Sequence, residues 1–327
     1  MPGKDLDFSI VVPHRGNALG LWATIHSCEE ELSQLKSNGV AEDFGGKSKY
    51  TYQYVIVSNG CVLDIDALGT LYYLKQAGKL VHKHYDEVLT PPVARQRAVE
   101  MSSGKILCFF DNHCLVGKQY FDRVKYDMEK ENMDMLHSTT SYYSDQAHHY
   151  HYTLLLNYNF WGNSVQVPPH WKYYQCAAGG HGGFCVTREA WDAIGGYGPE
   201  SLFCGYGGEE LIFDLKMWRY GRKNWLDPRL IHHHYAGIRG YSRHYTDDYY
   251  TNLLVCANVI GGEKWMYSLF DSFVTKSHPR LRPEKEFYTL LEDAYFRSVD
   301  YAAEVNRRSV ITLDELLEQF KRNSVAM

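Results

Sequence analysis

The first 110 residues alternate short apolar, β-branched segments with segments of helical periodicity, and this alternation restricts the fold more than any other feature of the sequence. Strand patterns are predicted at 8–13, 52–58, 79–84 and 106–110, and helical patterns at 19–35, 65–77 and 93–101. Strands that alternate with helices are typical of right-handed β–α–β units. The sequence therefore predicts an α/β fold with a mainly parallel sheet flanked by helices.

Polar residues follow three of these strand patterns, at the edge where parallel sheets bind their ligands. They are Pro13-His14-Arg15 after the first strand, Ser58-Asn59 after the second and Asp111-Asn112-His113 after the fourth. Residues two apart in an extended segment point the same way, so Asp111 and His113 can converge on a divalent cation. A carboxylate with imidazoles suits Mn²⁺ better than an all-oxygen calcium site. A D-x-H triplet alone is equally compatible with an ordinary polar strand end.

The second half of the chain carries two glycine-rich loops. The first, 178–183, contains almost no side chains and leads into a strand pattern at 184–187 and a helical pattern at 188–194. In the second, Gly207-Gly208 precede Glu209 and Glu210 at the start of a predicted helix over 209–220. Each loop is compatible with a tight turn, and each also leaves room for a substrate close to the backbone.

A last strand pattern at 225–232 leads into His232-His233-His234, and the pattern is helical from 246 to the end of the chain. We therefore expect a catalytic-type domain over 1–245, with halves at 1–115 and 116–245, and a helical extension over 246–327. We interpret His232 and His233 as structural or surface residues.

Composition excludes several classes of protein. The formal net charge of −5 argues against capture of nucleic acid by the charge of the whole molecule. The eight cysteines include no CxxC pair, which predicts reduced thiols and no thiolate zinc site. Aromatic residues make up 15% of the chain and crowd the segment 142–174, either as core or as a stacking surface for sugars or bases. No apolar run is long enough to span a membrane, so we expect a cytoplasmic protein.

Three sequence blocks resemble GT-A glycosyltransferases, and above all the polypeptide GalNAc-transferases, which have Asp-x-His in place of the commoner Asp-x-Asp. The first block joins Ala94-Arg95-Gln96-Arg97-Ala98 to the segment 104–114, which ends in Phe110-Asp111-Asn112-His113-Cys114. The second joins Gly182-Gly183-Phe184 to Ile194-Gly195-Gly196-Tyr197, and the third is Gly207-Gly208-Glu209-Glu210-Leu211 with Trp218. The blocks occur in the family's order and spacing over about residues 8–240.

The resemblance implies a GT-A fold with a helical C-terminal tail and transfer of a sugar from a nucleotide-diphosphate donor, with UDP as the expected nucleotide. It implies that Asp111, His113 and His234 bind Mn²⁺ or Mg²⁺. It places Glu209 and Glu210 at the sugar or acceptor, Glu209 being the stronger candidate, and implies retention of anomeric configuration. An inverting reaction would instead make one of the two the general base. The expected donor contacts are Pro13, His14, Arg15, Asn59, Arg95, Asn112, Gly182, Gly183 and Arg243.

The sequence departs from the family at positions that affect specificity. Ser58-Asn59 stands where many GT-A enzymes have an acidic pair, Glu210 replaces an Asn, and Tyr206 replaces a Trp. These differences leave the nucleotide and the sugar open. The sequence shows neither the membrane anchor nor the carboxyl-terminal lectin domain of the animal enzymes, from which we expect a bacterial or viral cytosolic relative. The expected acceptor is a protein Ser or Thr, or a 5-hydroxymethylpyrimidine in DNA. A polysaccharide or small-molecule acceptor, and a non-catalytic nucleotide- or nucleic-acid-binding protein, are the alternatives. The oligomeric state stays open.

Overall fold

The structure is a computed structural model. It describes residues 5–33, 48–142, 149–153, 163–165, 173–235, 246–275 and 286–325.

The first half of the chain forms four parallel strands, as the alternating pattern predicts. The elements are β1 (Leu6–His14), α1 (Ala18–Leu32), β2 (Tyr52–Asn59), α2 (Gly69–Gln76), β3 (Leu80–Tyr85), α3 (Pro91–Glu100) and β4 (Gly104–Phe110). The strands lie in the order β3-β2-β1-β4, with every neighbouring pair parallel. Their carboxyl ends therefore share one edge of the sheet, where Arg15, Asn59 and Asp111 lie.

The second half continues the same sheet with mixed strand directions. The elements are β5 (Cys114–Val116), α4 (Tyr120–Lys130), β6 (Met135–Tyr142), β7 (His149–Thr153), β8 (Asn163–Val165), β9 (Tyr174–Gln175), β10 (Gly183–Thr187), α5 (Arg188–Ile194), α6 (Glu209–Arg219) and β11 (Asn224–His234). The sheet extends from β4 through β10, β6 and β11 to β5. Because β10 runs antiparallel to both β4 and β6, its first residues lie beside the last residues of β4. The glycine-rich loop before β10 is thereby placed next to Asp111.

Both faces of the central strands are buried. In β1, Ile10 and Val12 pack with α1, α2 and α4, whereas Val11 points to the opposite face and packs with α3, α5 and α6. This double burial explains why the strands are continuous apolar runs without alternation.

The C-terminal region is helical, as predicted. It comprises α7 (Thr246–Gly261), α8 (Glu263–Thr275), α9 (Phe287–Arg308) and α10 (Leu313–Val325). The helices share one hydrophobic core with α5 and α6. The buried Lys216 of α6 donates a hydrogen bond to the hydroxyl of Tyr301 in α9 at 2.7 Å. None of the described helices is both long and apolar enough to cross a membrane.

Candidate metal centre

Asp111 and His113 are brought together by a tight turn that follows β4. The backbone N–H of Cys114 donates to the carbonyl of Asp111 at 3.2 Å, so the four residues 111–114 close a turn before β5 begins. The N–H of Asp111 donates to the carbonyl of Gly182 at 3.1 Å, which ties the start of the turn to the glycine-rich loop. The side chains of Asp111 and His113 converge, as the sequence predicts. They do so because the chain turns at 111–114, and not because the segment is extended.

His234 is the last residue of β11, which pairs antiparallel with β5 so that His234 lies opposite Cys114. The N–H of Tyr235 donates to the carbonyl of His113 at 3.1 Å. These two backbone contacts place the imidazole of His234 beside the turn. Residues that are 121 positions apart in the chain thus share one small site.

One ligand atom from each of Asp111, His113 and His234 lies within 4.8 Å of the others, an arrangement that can hold a metal ion. The two histidine Nε2 atoms are 3.1 Å apart, and Nε2 of His234 is 3.4 Å from Oδ2 of Asp111. Burial opposes ionisation of Asp111, but the hydrogen bond from His234 and the charge of Arg95 hold the pKa of Asp111 well below its usual range. The carboxylate is therefore charged and available as a ligand at neutral pH.

Asn112 orients the imidazole of His113. Oδ1 of Asn112 accepts a hydrogen bond from Nδ1 of His113 at 3.0 Å, while its Nδ2 donates to Nδ1 of His14 at 3.1 Å. An amide oxygen can only accept, so Nδ1 of His113 carries the proton and Nε2 keeps its lone pair. That lone pair is the one directed toward His234. Burial lowers the pKa of His14 to about 4, so the imidazole of His14 is neutral at physiological pH.

The two glycines predicted at the site allow two histidine rings to approach the backbone. A methyl group on Gly182 would lie 2.9 Å from Cδ2 of His234, and one on Gly183 would lie 2.7 Å from the ring of His232. His232 is buried and its Nδ1 lies 2.8 Å from Oγ of Ser138. Its pKa is lowered to about 3 by burial, which agrees with a structural role.

Arg95 is buried beneath the site between two carboxylates. It donates to Oδ1 of Asp111 at 2.9 Å and to the carbonyl of His181 at 3.0 Å. Its other terminal nitrogen is 3.7 Å from Oε1 of Glu209, the first residue of α6. Burial raises the pKa of Glu209, and burial together with the neighbouring Glu209 raises the pKa of Glu210 to about 8. Arg95 thus connects the start of α6, which carries Glu209 and Glu210, to Asp111, one of the possible metal ligands.

The other predicted donor contacts lie at the carboxyl ends of β1 and β2. Pro13 and His14 end β1, and Arg15 is half-buried in the loop that follows. Asn59 is buried, donates to the carbonyl of His14 at 3.2 Å and accepts from the N–H of Leu89 at 3.1 Å. Its amide joins the end of β1 to the segment before α3. Arg243 and most of the aromatic segment lie outside the described residues.

Sequence reasoning missed a buried polar network behind the site. Asp214, in α6, accepts a hydrogen bond from Nε2 of His181 at 2.9 Å and lies 3.2 Å from Nε2 of His137. Burial opposes ionisation of Asp214, but the two histidines lower its pKa to about 2. Nδ1 of His181 lies 2.9 Å from the hydroxyl of Tyr197. The available signal was the pair of charged residues, Asp214 and Lys216, within the otherwise apolar segment 211–218, where an unpartnered charge would not be stable.

The same fold occurs in solved structures. No protein-family model matches the sequence, and no curated protein sequence matches it. The structure matches GalNAc-T7 solved with UDP, GalNAc and Mn²⁺, with a TM-score of 0.65 and 16% identity over 91% of this chain. It matches TarS 1-349 of S. aureus with a TM-score of 0.53 and 12% identity over 92% of this chain. A longer TarS structure matches with a TM-score of 0.54 and 11% identity over 92% of this chain.

The extent of these matches differs between the relatives. This chain spans 56% of the GalNAc-T7 chain, 83% of TarS 1-349 and 55% of the longer TarS chain. At these identities the matches establish architecture, while activity and substrates depend on the site itself. The parallel half-sheet, the site at its carboxyl edge and these neighbours together show that the chain has the GT-A fold of the glycosyltransferases.

Proposed function

We propose that the protein is a metal-dependent glycosyltransferase that moves a sugar from a nucleotide-diphosphate donor, a UDP-sugar, to a hydroxyl group of a polymer acceptor. The observation that carries the proposal is the convergence of Asp111, His113 and His234 at the carboxyl edge of a GT-A sheet. GalNAc-T7, which shares the fold, was solved with UDP and Mn²⁺.

The three side chains fit a divalent transition metal. One carboxylate oxygen and two imidazole nitrogens form a mixed donor set that suits Mn²⁺, and ligand oxygens and water can complete it. Asn112 directs the Nε2 lone pair of His113 toward Nε2 of His234, and these two nitrogens are 3.1 Å apart, close enough for one cation to be bound by both. When bound, the metal supplies Lewis-acid neutralisation of the negative charge on the leaving diphosphate.

The protein's own residues prepare the site for the donor. Arg95 occupies Oδ1 of Asp111 and leaves Oδ2 facing His234. Gly182 lets the imidazole of His234 lie directly against the loop backbone, and we propose that the sugar binds beside the metal along this loop. Glu209 and Glu210 are proposed to bind sugar hydroxyls or the acceptor. Transfer with retention is our first expectation, and in an inverting reaction Glu209 or Glu210 would accept the acceptor proton.

Either a protein Ser or Thr or a 5-hydroxymethylpyrimidine in DNA would supply the acceptor hydroxyl, and a cytoplasmic protein could meet both. Transfer to the two acceptors should depend differently on salt concentration. A protein with a net charge of −5 must bind the phosphates of a DNA acceptor through local Lys or Arg side chains, and such contacts make transfer fall steeply with salt concentration. Transfer to a neutral peptide should depend little on salt.

The test measures donor hydrolysis and transfer for a panel of nucleotide sugars, with Mn²⁺ and with EDTA, on hydroxymethylated DNA and on Ser/Thr peptides. His234→Ala should lose at least about 100-fold in metal-dependent turnover, because a ligand is removed. His233→Ala is the matched control, because His233 is next to His234 on β11 and its side chain points from the opposite face of the strand. Full turnover in His234→Ala, or in EDTA, would refute the proposal.

A further inference from the structure

The loop that precedes Glu209 has almost no side chains on the side that faces α7. A methyl group on Gly205 would overlap the carboxylate of Asp248, and one on Gly207 would overlap the ring of Tyr249. A methyl group on Gly208 would lie 3.2 Å from Cβ of Asn252. The loop over 205–208 is thus packed directly on the first turns of a helix from the C-terminal region.

Asn252 binds this loop through both the oxygen and the nitrogen of its side-chain amide. Oδ1 accepts a hydrogen bond from the N–H of Cys204 at 3.1 Å, and Nδ2 donates to the carbonyl of Cys204 at 2.7 Å. The thiol of Cys204 also lies 3.4 Å from Oδ1 of Asn252. Asn252 is only 1% exposed, so water does not compete for these hydrogen bonds.

The position of the loop sets the position of the Glu209 carboxylate. The N–H of Gly207 donates to Oε2 of Glu209 at 3.1 Å, and Gly207 has a φ of +108°, which only glycine adopts without strain. The opposite oxygen of Glu209 faces Arg95 at 3.7 Å, and Arg95 binds Asp111. A shift of the loop would therefore move a carboxylate at the site.

We propose that Asn252 is a positioning residue for the transfer reaction, which acts through the loop at 204–208 to hold Glu209 in place. The proposal rests on the proposed function of the site. It makes the first helix of the C-terminal region part of the catalytic machinery. A truncated chain that ends before α7 would lack one wall of the loop that carries Glu209.

Asn258 provides a matched control on the same helix. It is 2% exposed, and its Nδ2 donates to Oγ of Ser298 in α9 at 2.8 Å, away from the loop. Both Asn→Ala variants remove a buried amide from α7, so both lower stability, but only Asn252→Ala releases the loop. Kinetics are measured at a temperature where circular dichroism shows both variants folded.

We expect Asn252→Ala to lower kcat/KM for the nucleotide sugar by about 10–100-fold, because a catalytic group is misplaced. The Kd of UDP with Mn²⁺ should stay within about twofold, since UDP lacks the sugar. Unchanged kcat/KM in Asn252→Ala, or an equal loss in Asn258→Ala, would overturn the proposal.

A second readout does not depend on catalysis. The thiol of Cys204 is half-buried beneath Asn252, and six other cysteines are fully buried. Its rate of alkylation, followed by mass spectrometry with the half-buried Cys61 as the internal reference, should rise at least about tenfold in Asn252→Ala and stay at the wild-type rate in Asn258→Ala. Equal rates in the two variants would overturn the positioning role. Wild-type protein without activity on any nucleotide sugar would refute the proposed function and leave this readout intact.

Discussion

A single methyl group added at Gly182 should weaken metal binding. A Cβ at this position would lie 2.9 Å from Cδ2 and 3.5 Å from Nε2 of His234. Carbon atoms pack at about 3.5–4.0 Å, so the imidazole must retreat by about 0.6 Å or more. The ring has little freedom, since its side chain is only 8% exposed and its Nε2 lies 3.1 Å from that of His113.

The expected loss of metal affinity follows from how little metal–ligand distances vary in proteins. Ligand distances vary by about 0.2 Å, which is less than the required shift. Disturbing the orientation of a ligand typically costs about 10–100-fold in metal affinity, equal to about 1.4–2.8 kcal/mol. We therefore expect Gly182→Ala to raise the Kd of Mn²⁺ by that factor, measured by isothermal titration calorimetry.

Gly183→Ala is the control for this substitution. It adds the same methyl group to the next residue, 2.7 Å from the ring of His232, which is not among the possible ligands. It should lower the free energy of unfolding by about 1–3 kcal/mol through overpacking, while the Kd of Mn²⁺ stays near that of the wild type. The reasoning would be refuted by Gly182→Ala with wild-type affinity, or by the same loss of affinity in both variants.

Three further predictions concern charged side chains. Arg95→Met leaves the buried Glu209 carboxylate without its cation and should lower the free energy of unfolding by about 3–5 kcal/mol; an unchanged urea midpoint would contradict this. Because the pKa of Glu210 is raised to about 8, a role as base predicts that kcat increases from about pH 7 to about pH 9, and Glu210→Gln should flatten this increase in the pH profile. Burial lowers the pKa of Lys216 from 10.5 to about 7, so between these values the unfolded state binds more protons and stability rises with pH. Lys216→Met should remove up to about 1.4 kcal/mol per pH unit of that slope from denaturation curves, and an unaltered slope would count against the buried amine.

The sequence predicted the elements whose burial leaves a clear pattern. The strands β1, β2 and β4 are buried on both faces and therefore appear as apolar runs, and the predicted helix over 188–194 coincides with α5. Parallel pairing of the first four strands followed from their alternation with helices. The direction of β10 did not, because its antiparallel insertion depends on partners that are distant in the chain.

The sequence predicted which residues form the candidate site more readily than it predicted the contacts between them. The turn at 111–114 depends on one backbone hydrogen bond, and the roles of Asn112 and Asn59 depend on which neighbours their amides reach. No local pattern encodes those neighbours. The contact between Asn252 and Cys204 joins residues 48 apart and was likewise invisible in the sequence.

The central claim is that Asp111, His113 and His234 hold one divalent ion at the carboxyl edge of the sheet. Pulsed electron paramagnetic resonance of the Mn²⁺-loaded protein tests it most directly, because coordinated imidazole nitrogens modulate the electron spin echo. We predict modulation from two histidine nitrogens in the wild type and from one in each of His113→Ala and His234→Ala. Bound Mn²⁺ with no nitrogen modulation, or with modulation that survives both substitutions, would contradict the account.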